Sequence, residues 1–164
     1  MTAAEKQVVD FDARQNALDI TRSIAVQAPA GSGKTELLSL RFLKLLAVCQ
    51  HPEEVLAITF TKKAANEMAQ RILNTLEWAQ QVDPIAIETQ LDRDKYEIAN
   101  SVLAQDAKES WQLQQSPNRL RIQTIDSFCN FLASRLPILS HFGGPLQISE
   151  QIDDCYHLAI RNCL

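Results

Sequence analysis

Residues 28–35 read APAGSGKT, and this short stretch decides how the rest of the chain is interpreted. It follows the phosphate-loop pattern G-x-x-x-x-G-K-[ST], except that Ala28 replaces the first glycine. An apolar run, Ile24 to Val26, precedes the loop and a leucine-rich segment follows it, which predicts a strand, a loop and a helix in that order. Such a loop points backbone N–H groups at an anion where the helix begins. The stretch therefore predicts a nucleotide site.

Each residue type in the loop fits a task in holding a nucleoside triphosphate. Lys34 would reach the β- and γ-phosphates, and the Thr35 hydroxyl would hold a magnesium ion bridging them. These two are the candidate catalytic residues, and Thr35 is the candidate metal ligand. The loop residues predicted to contact the nucleotide are Ala30, Gly31, Ser32, Gly33, Lys34, Thr35 and Glu36.

The same strand-then-helix order recurs along the chain. Val55 to Thr59 and Arg121 to Thr124 are strand candidates, and Leu146 to Glu150 is a further short one. The helix that follows Arg121 to Thr124 can be capped by Asp126 or Ser127. Two helical stripes are predicted, formed by Ala65, Met68, Ile72, Leu76 and Ala79, and by Tyr96, Ala99, Leu103, Ala107 and Trp111. Successive strand–helix units favour a parallel sheet.

Composition and charge restrict the class of protein. The chain has 164 residues, 46% hydrophobic and 22% charged, as expected of one soluble globular domain. It has no apolar run long enough to span a membrane and no signal-like N-terminus, so we expect a cytoplasmic protein. The four cysteines show no C-x-x-C spacing, which argues against a metal centre. The net charge of -4 gives no bulk reason to bind nucleic acid, although a local basic patch could do so.

Three further motifs carry a resemblance to a known family. The segment AITFTKKAANEM, residues 57–68, resembles motif Ia of the UvrD/Rep-type superfamily 1 DNA helicases, T-F-T-N-K-A-A-x-E-M, with Lys62 in place of asparagine. The segment IQTIDSFC, residues 122–129, resembles motif Ic, with Asp126 at the usual histidine, and FDARQNALDI resembles the Q-motif. Alanine at the first loop position is also usual in these helicases. The segments TIDSF and QAPAGSGKTELL are most similar to the corresponding segments of the AddA and RecB helicase–nuclease subunits.

The resemblance implies a fold and an activity. The fold would be a P-loop NTPase (RecA-like) α/β domain with three α/β/α layers and a parallel sheet, incomplete in this chain. Residues 1–150 would form part of helicase domain 1A, and residues 151–164 would begin a helical, 1B-like segment. The cofactors would be ATP and Mg²⁺, and the partners would be single-stranded DNA, domains 1B and 2A of a parent chain, and an AddB- or RecC-like protein. The role would lie in recombination or double-strand-break repair.

The resemblance also assigns residues. Gln15 matches the glutamine that reads adenine, and Arg41 lies at a position near the nucleotide, although an arginine on a solvated helix face is an alternative. Phe60 could instead be a core aromatic, and Asp126 and Ser127 could serve only as helix caps. The positions that match DNA contacts are Phe60, Thr61, Lys63, Thr124 and Ser127.

The family's carboxylate motif, D-E-x-Q-D, does not occur in the sequence. Hydrolysis needs such groups to hold magnesium and direct water. We therefore expect an N-terminal fragment of a motor that binds nucleotide weakly and does not hydrolyse it alone. Two rival functions are a small-molecule P-loop kinase, which would leave TFTKKAANEM unexplained, and a non-catalytic DNA-binding module, which ATP turnover with and without DNA would distinguish.

Overall fold

The structure is a computed structural model that describes residues 11–135 together with the helical residues Tyr156, Ile160 and Arg161. The chain divides into two compact units, Met1–Ile125 and Asp126–Leu164. The helices and strands are α1 (Phe11–Ala17), α2 (Lys34–Leu46), β1 (Leu56–Thr59), α3 (Lys62–Gln81), α4 (Gln90–Glu109), β2 (Arg121–Thr124) and α5 (Ile125–Arg135). Short 3₁₀ turns at Pro52–Glu54, Pro84–Ala86 and Pro117–Arg119 join some of them.

The two strands form a parallel sheet. Leu56 lies opposite Arg121, and Thr59 lies opposite Thr124, so the strands end at the same edge. Both strands occur where the sequence predicts them, and their parallel pairing is confirmed. The described residues thus form a mixed α/β fold in which the carboxyl ends of β1 and β2 meet.

The strand predicted at Ile24 to Val26 is wrong, because residues 23–29 adopt no regular secondary structure. Ile24 is 37% exposed and Val26 is 41% exposed. A strand needs a hydrogen-bonded neighbour, and within residues 11–135 β1 and β2 pair only with each other. The apolar run therefore enters the phosphate loop without regular secondary structure and without a strand partner among residues 11–135.

Side-chain caps set the starts of the two longest helices. The Thr61 hydroxyl accepts a hydrogen bond from the Ala64 N–H at 3.1 Å, and Thr89 does the same for Asp92 at 3.1 Å. Each satisfies one of the backbone donors that a helix start leaves without an intrahelical partner. The predicted stripe of α3 is confirmed, since its five residues are all buried: Ala65, Met68, Ile72, Leu76 and Ala79.

The second predicted stripe extends beyond its helix. Helix α4 ends at Glu109, where Ser110 adopts a left-handed conformation with φ 55°, so Trp111 lies outside it. Trp111 is nevertheless buried, and its indole Nε1–H donates to the Gln50 carbonyl at 3.0 Å. Ala107 is exposed. Within α4 itself only the first part of this stripe faces the core, and Trp111 reaches the core from beyond the end of the helix.

Helix α5 follows β2 without an intervening loop. It begins at Ile125, so Asp126 and Ser127 lie in its first turn and not at its cap, which corrects the sequence-based expectation. The reason is that the helix begins directly after Thr124, the last residue of the strand, so Asp126 and Ser127 already lie within it. The strand predicted at Leu146 to Glu150 and the domain boundary predicted at residue 150 lie outside the described residues.

Packing of α2, α3 and α4 forms the core of the first unit. The most deeply buried side chains are Leu43, Leu46, Ile72, Leu76, Val102 and Leu113. The connection from α2 to β1 is held against this core by polar contacts. The Gln105 amide donates to the Cys49 carbonyl at 2.8 Å, and Arg119 pairs with Glu53 through two hydrogen bonds, Nε to Oε1 at 2.7 Å and Nη2 to Oε2 at 3.3 Å.

The Arg119–Glu53 pair makes stability depend on pH. The hydrogen bond from Arg119 is the main cause that lowers the pKa of Glu53. A lowered pKa in the folded state means that the stabilisation is present above the unfolded pKa of about 4.3 and is lost as pH falls through the folded value.

Glu53→Gln should lower the free energy of unfolding at pH 7 by less than about 1 kcal/mol, because the pair is partly exposed to solvent. The difference between this variant and the wild type should shrink as pH falls below about 4. Urea unfolding of both proteins at pH 7 and pH 3.5 measures it. An equal difference at both pH values would show that ionisation of Glu53 does not contribute.

Candidate nucleotide-binding site

Two glycines give the phosphate loop its shape. Gly31 has φ 77° and Gly33 has φ 82°, both in the left-handed region that favours glycine. Gly33 precedes the first residue of α2, and its carbonyl accepts the Leu37 N–H at 3.0 Å. The loop therefore delivers the chain directly into a 13-residue helix whose first N–H groups, and the positive end of its dipole, face the loop.

Lys34 is held at this site by the loop itself. Its ammonium group donates to the Ala28 carbonyl at 2.6 Å and to the Pro29 carbonyl at 2.5 Å. Both acceptors are neutral oxygens, and a phosphate oxygen is a stronger partner for an ammonium ion. The contacts place the Lys34 charge beside the loop, where a bound triphosphate would compete for it.

A cavity of about 430 Å³ opens beside the loop. Its lining residues are Ala30, Gly31, Gly33, Lys34, Thr35, Glu36 and Arg71. Six of these seven come from the predicted nucleotide-contacting stretch, so the structure brings that stretch to one concave surface. Lys34 and Arg71 contribute two cations to the lining and Glu36 one carboxylate.

Arg71 is a site residue that the sequence reasoning missed. It lies on α3, exposed beside the buried Ile72, and reaches the cavity from a different element than the loop. An exposed arginine within a helix carries no sequence signal of its own. Only the packing of α3 beside α2 identifies it.

The lining fits an anionic group. The volume lies within the range of small-ligand sites, and the cradle combines glycine backbone, a helix start and two cations. The Ser32 hydroxyl is buried and meets no hydrogen-bond partner among the described residues. A buried hydroxyl without a partner is costly, which supports a loop shaped to receive a ligand. When a nucleotide binds, Lys34 and the loop N–H groups would hold phosphate, and Thr35 offers a hydroxyl to magnesium.

The Q-motif helix lies against the loop through a residue that the sequence analysis did not single out. The Arg14 guanidinium donates from Nη2 to the Ser32 carbonyl at 2.6 Å. The next residue, Gln15, donates from its amide Nε2 to the carboxylate of Asp94 on α4 at 2.5 Å. Gln15 does not line the cavity, so its role toward a base stays a prediction.

Arg41 has structural contacts in this site. Its guanidinium donates to the carbonyls of Ala17 at 2.7 Å, Asp19 at 2.8 Å and Arg22 at 2.6 Å. It therefore fixes the segment that follows α1 onto α2. It is not a solvated arginine, and a contact with nucleotide stays a prediction.

The predicted DNA-contacting residues of motif Ia gather at the end of β1. Phe60 is 88% exposed, which excludes a core aromatic in this structure. Thr61 caps α3, and Lys63 is exposed, with its ammonium 3.9 Å from Glu67. A stacking ring, a hydroxyl and a cation are thus presented together, which suits a single strand of nucleic acid.

The motif Ic residues divide between the two units. Thr124 is buried at the end of β2, opposite Thr59 across the sheet, so its place is beside the motif Ia residues. Ser127 lies in α5, in the second unit. Roles of both toward DNA stay predictions.

Within the part of the chain that the structure describes, no three His, Cys, Asp or Glu side chains gather as a metal site. Among the same residues, no helix is long and apolar enough to cross a membrane.

Comparison with known proteins gives partial matches to helicases. The chain is 33% identical to an ATP-dependent helicase/nuclease protein of the AddA type from Lactobacillus gasseri over 111 residues, 68% of this chain and 8% of that protein. It is 48% identical to the ATP-dependent DNA helicase Rep of Buchnera aphidicola over 52 residues, 31% of this chain and 8% of Rep. It is 42% identical to the ATP-dependent DNA helicase SRS2 of Saccharomyces cerevisiae over 62 residues, 37% of this chain and 5% of SRS2.

These matches span less than a tenth of each relative, and no solved structure matches the chain. The profile of the UvrD/REP helicase N-terminal domain matches residues 9–161, which is nearly the whole chain. That range includes the phosphate loop, the cavity beside it and both strands. The chain belongs to the UvrD/REP helicase N-terminal domain family.

Proposed function

We propose that this chain forms the ATP-binding part of the first RecA-like domain of an ATP-dependent DNA helicase or translocase. The observation that carries the proposal is the concave site in which the glycine loop, Lys34 and Arg71 surround a cavity at the start of α2. The two-stranded parallel sheet is compatible with part of a three-layer α/β/α domain. Domain 1A would cover residues 1–150, and a 1B-like segment would begin at residue 151.

The site residues divide by the part of the nucleotide they would meet. Lys34 and the loop N–H groups would hold phosphate, with Ala30 to Glu36 forming the cradle. Thr35 would hold Mg²⁺, and Gln15 and Arg41 would lie toward the nucleoside. A bound magnesium ion would supply charge neutralisation for phosphoryl transfer.

A DNA path is proposed along the carboxyl edge of the sheet. It is supported by the exposed Phe60 at the end of β1, beside Thr61 and Lys63. Thr124 ends the paired strand, and Ser127 follows in motif Ic. Single-stranded DNA is the partner that this combination of stacking ring and phosphate donors fits best.

The cellular role is proposed from the helicase/nuclease relative, which matches two thirds of the chain. We infer a cytoplasmic protein that acts in recombination or double-strand-break repair, with domains 1B and 2A and an AddB- or RecC-like protein as partners. The sequence contains no D-E-x-Q-D motif, so residues 1–164 alone should not hydrolyse ATP.

The proposed activity is tested by measuring phosphate release by the protein that carries this domain, with and without single-stranded oligonucleotide. The expected result is ATP turnover that single-stranded DNA stimulates. ATP turnover that DNA does not change would favour a different P-loop enzyme. DNA binding without any turnover would favour a non-catalytic module.

Phe60→Ala should weaken binding of single-stranded DNA by about 1–3 kcal/mol, with little dependence on sequence, because a stacking surface is lost. Fluorescence anisotropy with oligo(dT) and a mixed-sequence oligonucleotide measures the affinity. Ile85→Ala is the matched control, since Ile85 is 93% exposed but lies in the turn between α3 and α4. Equal affinities for wild type and Phe60→Ala would remove Phe60 from the DNA path.

A further inference from the structure

A second cavity, of about 280 Å³, opens at the turn between α3 and α4 and shares no lining residue with the cavity beside the phosphate loop. Its walls come from the end of α3, which supplies Trp78, from the 3₁₀ turn, which supplies Ala86, and from the start of α4. The volume lies just below the range of about 300–1,000 Å³ that small-molecule sites occupy. The space therefore suits a single side chain better than a whole cofactor.

The apolar part of this cavity is a half-buried tryptophan. Tyr96 packs edge to face against the Trp78 ring, with the centroids 6.3 Å apart, and the Lys95 ammonium lies 4.9 Å from the Trp78 centroid. Neither Tyr96 nor Lys95 lines the cavity, so a part of the ring that they do not cover is open to it. Ile85, in the 3₁₀ turn beside the lining, is 93% exposed. An open aromatic ring within an apolar patch is a typical anchor of protein interfaces.

The segment that supplies the whole lining is acidic. Residues 72–92 contain no Lys or Arg and four carboxylates, Glu77, Asp83, Glu88 and Asp92. Asp92 accepts the Thr89 hydroxyl at 2.6 Å, and Asp83 accepts the Ile85 N–H at 3.0 Å. In the part of the chain that the structure describes, none of the four forms an ion pair with a Lys or Arg side chain. Their charge is therefore available to a cationic partner.

This acidic cavity lies far from the proposed DNA path. Lys62 begins α3 just after Phe60, and Trp78 lies near the other end of the helix, about 24 Å away at a rise of about 1.5 Å per residue. A phosphate backbone would also be repelled by the four carboxylates. The cavity is thus suited neither to nucleotide phosphates nor to DNA.

We propose that residues 78–92, the α3–α4 turn surface, dock a segment of a partner protein in which one apolar side chain fills the cavity beside Trp78. Lys or Arg side chains next to that anchor would meet Glu88 and Asp92, which line the same cavity. The aromatic wall selects the anchor, and the carboxylates select a basic partner over an acidic one. The inference goes beyond the proposed function and does not depend on it.

Selection from a phage-displayed library of random peptides, with residues 1–164 as the target, tests the proposal. The enriched peptides should carry an aliphatic or aromatic residue flanked by Lys or Arg. Fluorescence anisotropy with labelled copies of these peptides measures their affinity, which should fall as salt is added because the charges are screened. Enrichment of acidic peptides, or of peptides with no common pattern, would overturn the proposal.

Two variants place the selected peptides on the α3–α4 turn surface. Ala86→Trp fills the cavity from an exposed position and should weaken binding by about tenfold to thirtyfold. Glu88→Lys reverses a charge and should weaken binding by about threefold to tenfold. Glu97→Lys makes the same charge change at an exposed position of α4 outside the cavity, and should leave the affinity unchanged. Thermal melts establish that each variant is folded.

Three further results would contradict the proposal. Unchanged affinity in both Ala86→Trp and Glu88→Lys would place the peptide elsewhere on the protein. Equal weakening by Glu88→Lys and Glu97→Lys would reduce the effect to net charge. Dimerisation of the chain in sedimentation experiments, abolished by Ala86→Trp, would assign the surface to a second copy of this chain.

Discussion

Lys34→Ala should reduce DNA-stimulated ATP turnover by on the order of a hundredfold to a thousandfold, in the protein that carries this domain. The ammonium group lies beside the loop, held by the carbonyls of Ala28 and Pro29. Charge on the transferring phosphoryl group needs fixed cations, and such electrostatic stabilisation is commonly the largest contribution to catalysis. Phosphate release at saturating DNA measures the effect.

Lys44→Ala is the matched control for this prediction. Lys44 lies in the last turn of the same helix, at the end away from the loop. Its loss should leave turnover near that of the wild type. Near wild-type turnover in Lys34→Ala would contradict the assignment of the loop to phosphate binding.

Gly33→Val should weaken Mg-ATP binding by about tenfold to a hundredfold, because a β-branched residue at φ 82° costs about 1–3 kcal/mol. The new Cβ would also meet the Arg14 guanidinium at 3.2 Å, so the contact between the Q-motif helix and the loop would have to shift. Helix α2 itself should persist, because Leu43 and Leu46 remain buried in the core. The measurement is an equilibrium titration with Mg-ATP, accompanied by circular dichroism.

Gly31→Ala separates the effect of backbone strain from the effect of the contact with Arg14. Gly31 has a similar φ of 77°, but a Cβ there meets nothing within 4 Å. This smaller change should cost less affinity than Gly33→Val, because only backbone strain opposes it. Wild-type affinity in Gly33→Val would show that the loop conformation is not needed for binding.

Local sequence signals were sufficient for much of the fold. The apolar residues of α3 recur at helical spacing, so the helix could be predicted with its buried face. Strand β1 is a short, largely apolar segment, and β2 is the mostly polar segment RIQT; the predicted positions of both are confirmed. The phosphate loop could be identified because its backbone conformation requires glycines at this spacing.

The rest required contacts between distant parts of the chain. Ile24 to Val26 has the composition of a strand, but a strand exists only beside a neighbour, and composition does not supply one. Trp111 continues the spacing of α4, yet the left-handed Ser110 turns the chain before it. A local pattern indicates which secondary structure a segment favours. It does not indicate which other helix or strand that segment packs against.

The candidate site shows the same division. The stretch Ala30 to Glu36 could be assigned from its pattern, and most of it lines the cavity. Arg71 could not, because it reaches the cavity through the packing of α3 and stands in no motif. Arg14 lies within the Q-motif segment, but nothing in that pattern indicates its contact with the Ser32 carbonyl of the loop. The three carbonyl contacts of Arg41 likewise depend on how α1 folds back onto α2.

The most direct test of nucleotide binding is an isothermal titration of residues 1–164 with Mg-ATP, run in parallel on Lys34→Ala. We expect weak, saturable, one-to-one binding by the wild type, no phosphate release, and loss of the binding signal in Lys34→Ala. The cradle of Gly31, Gly33 and Lys34 is complete within these residues, whereas the D-E-x-Q-D carboxylates are not part of the sequence. Equal heats from the two proteins, or no binding by the wild type, would contradict a nucleotide site at this loop.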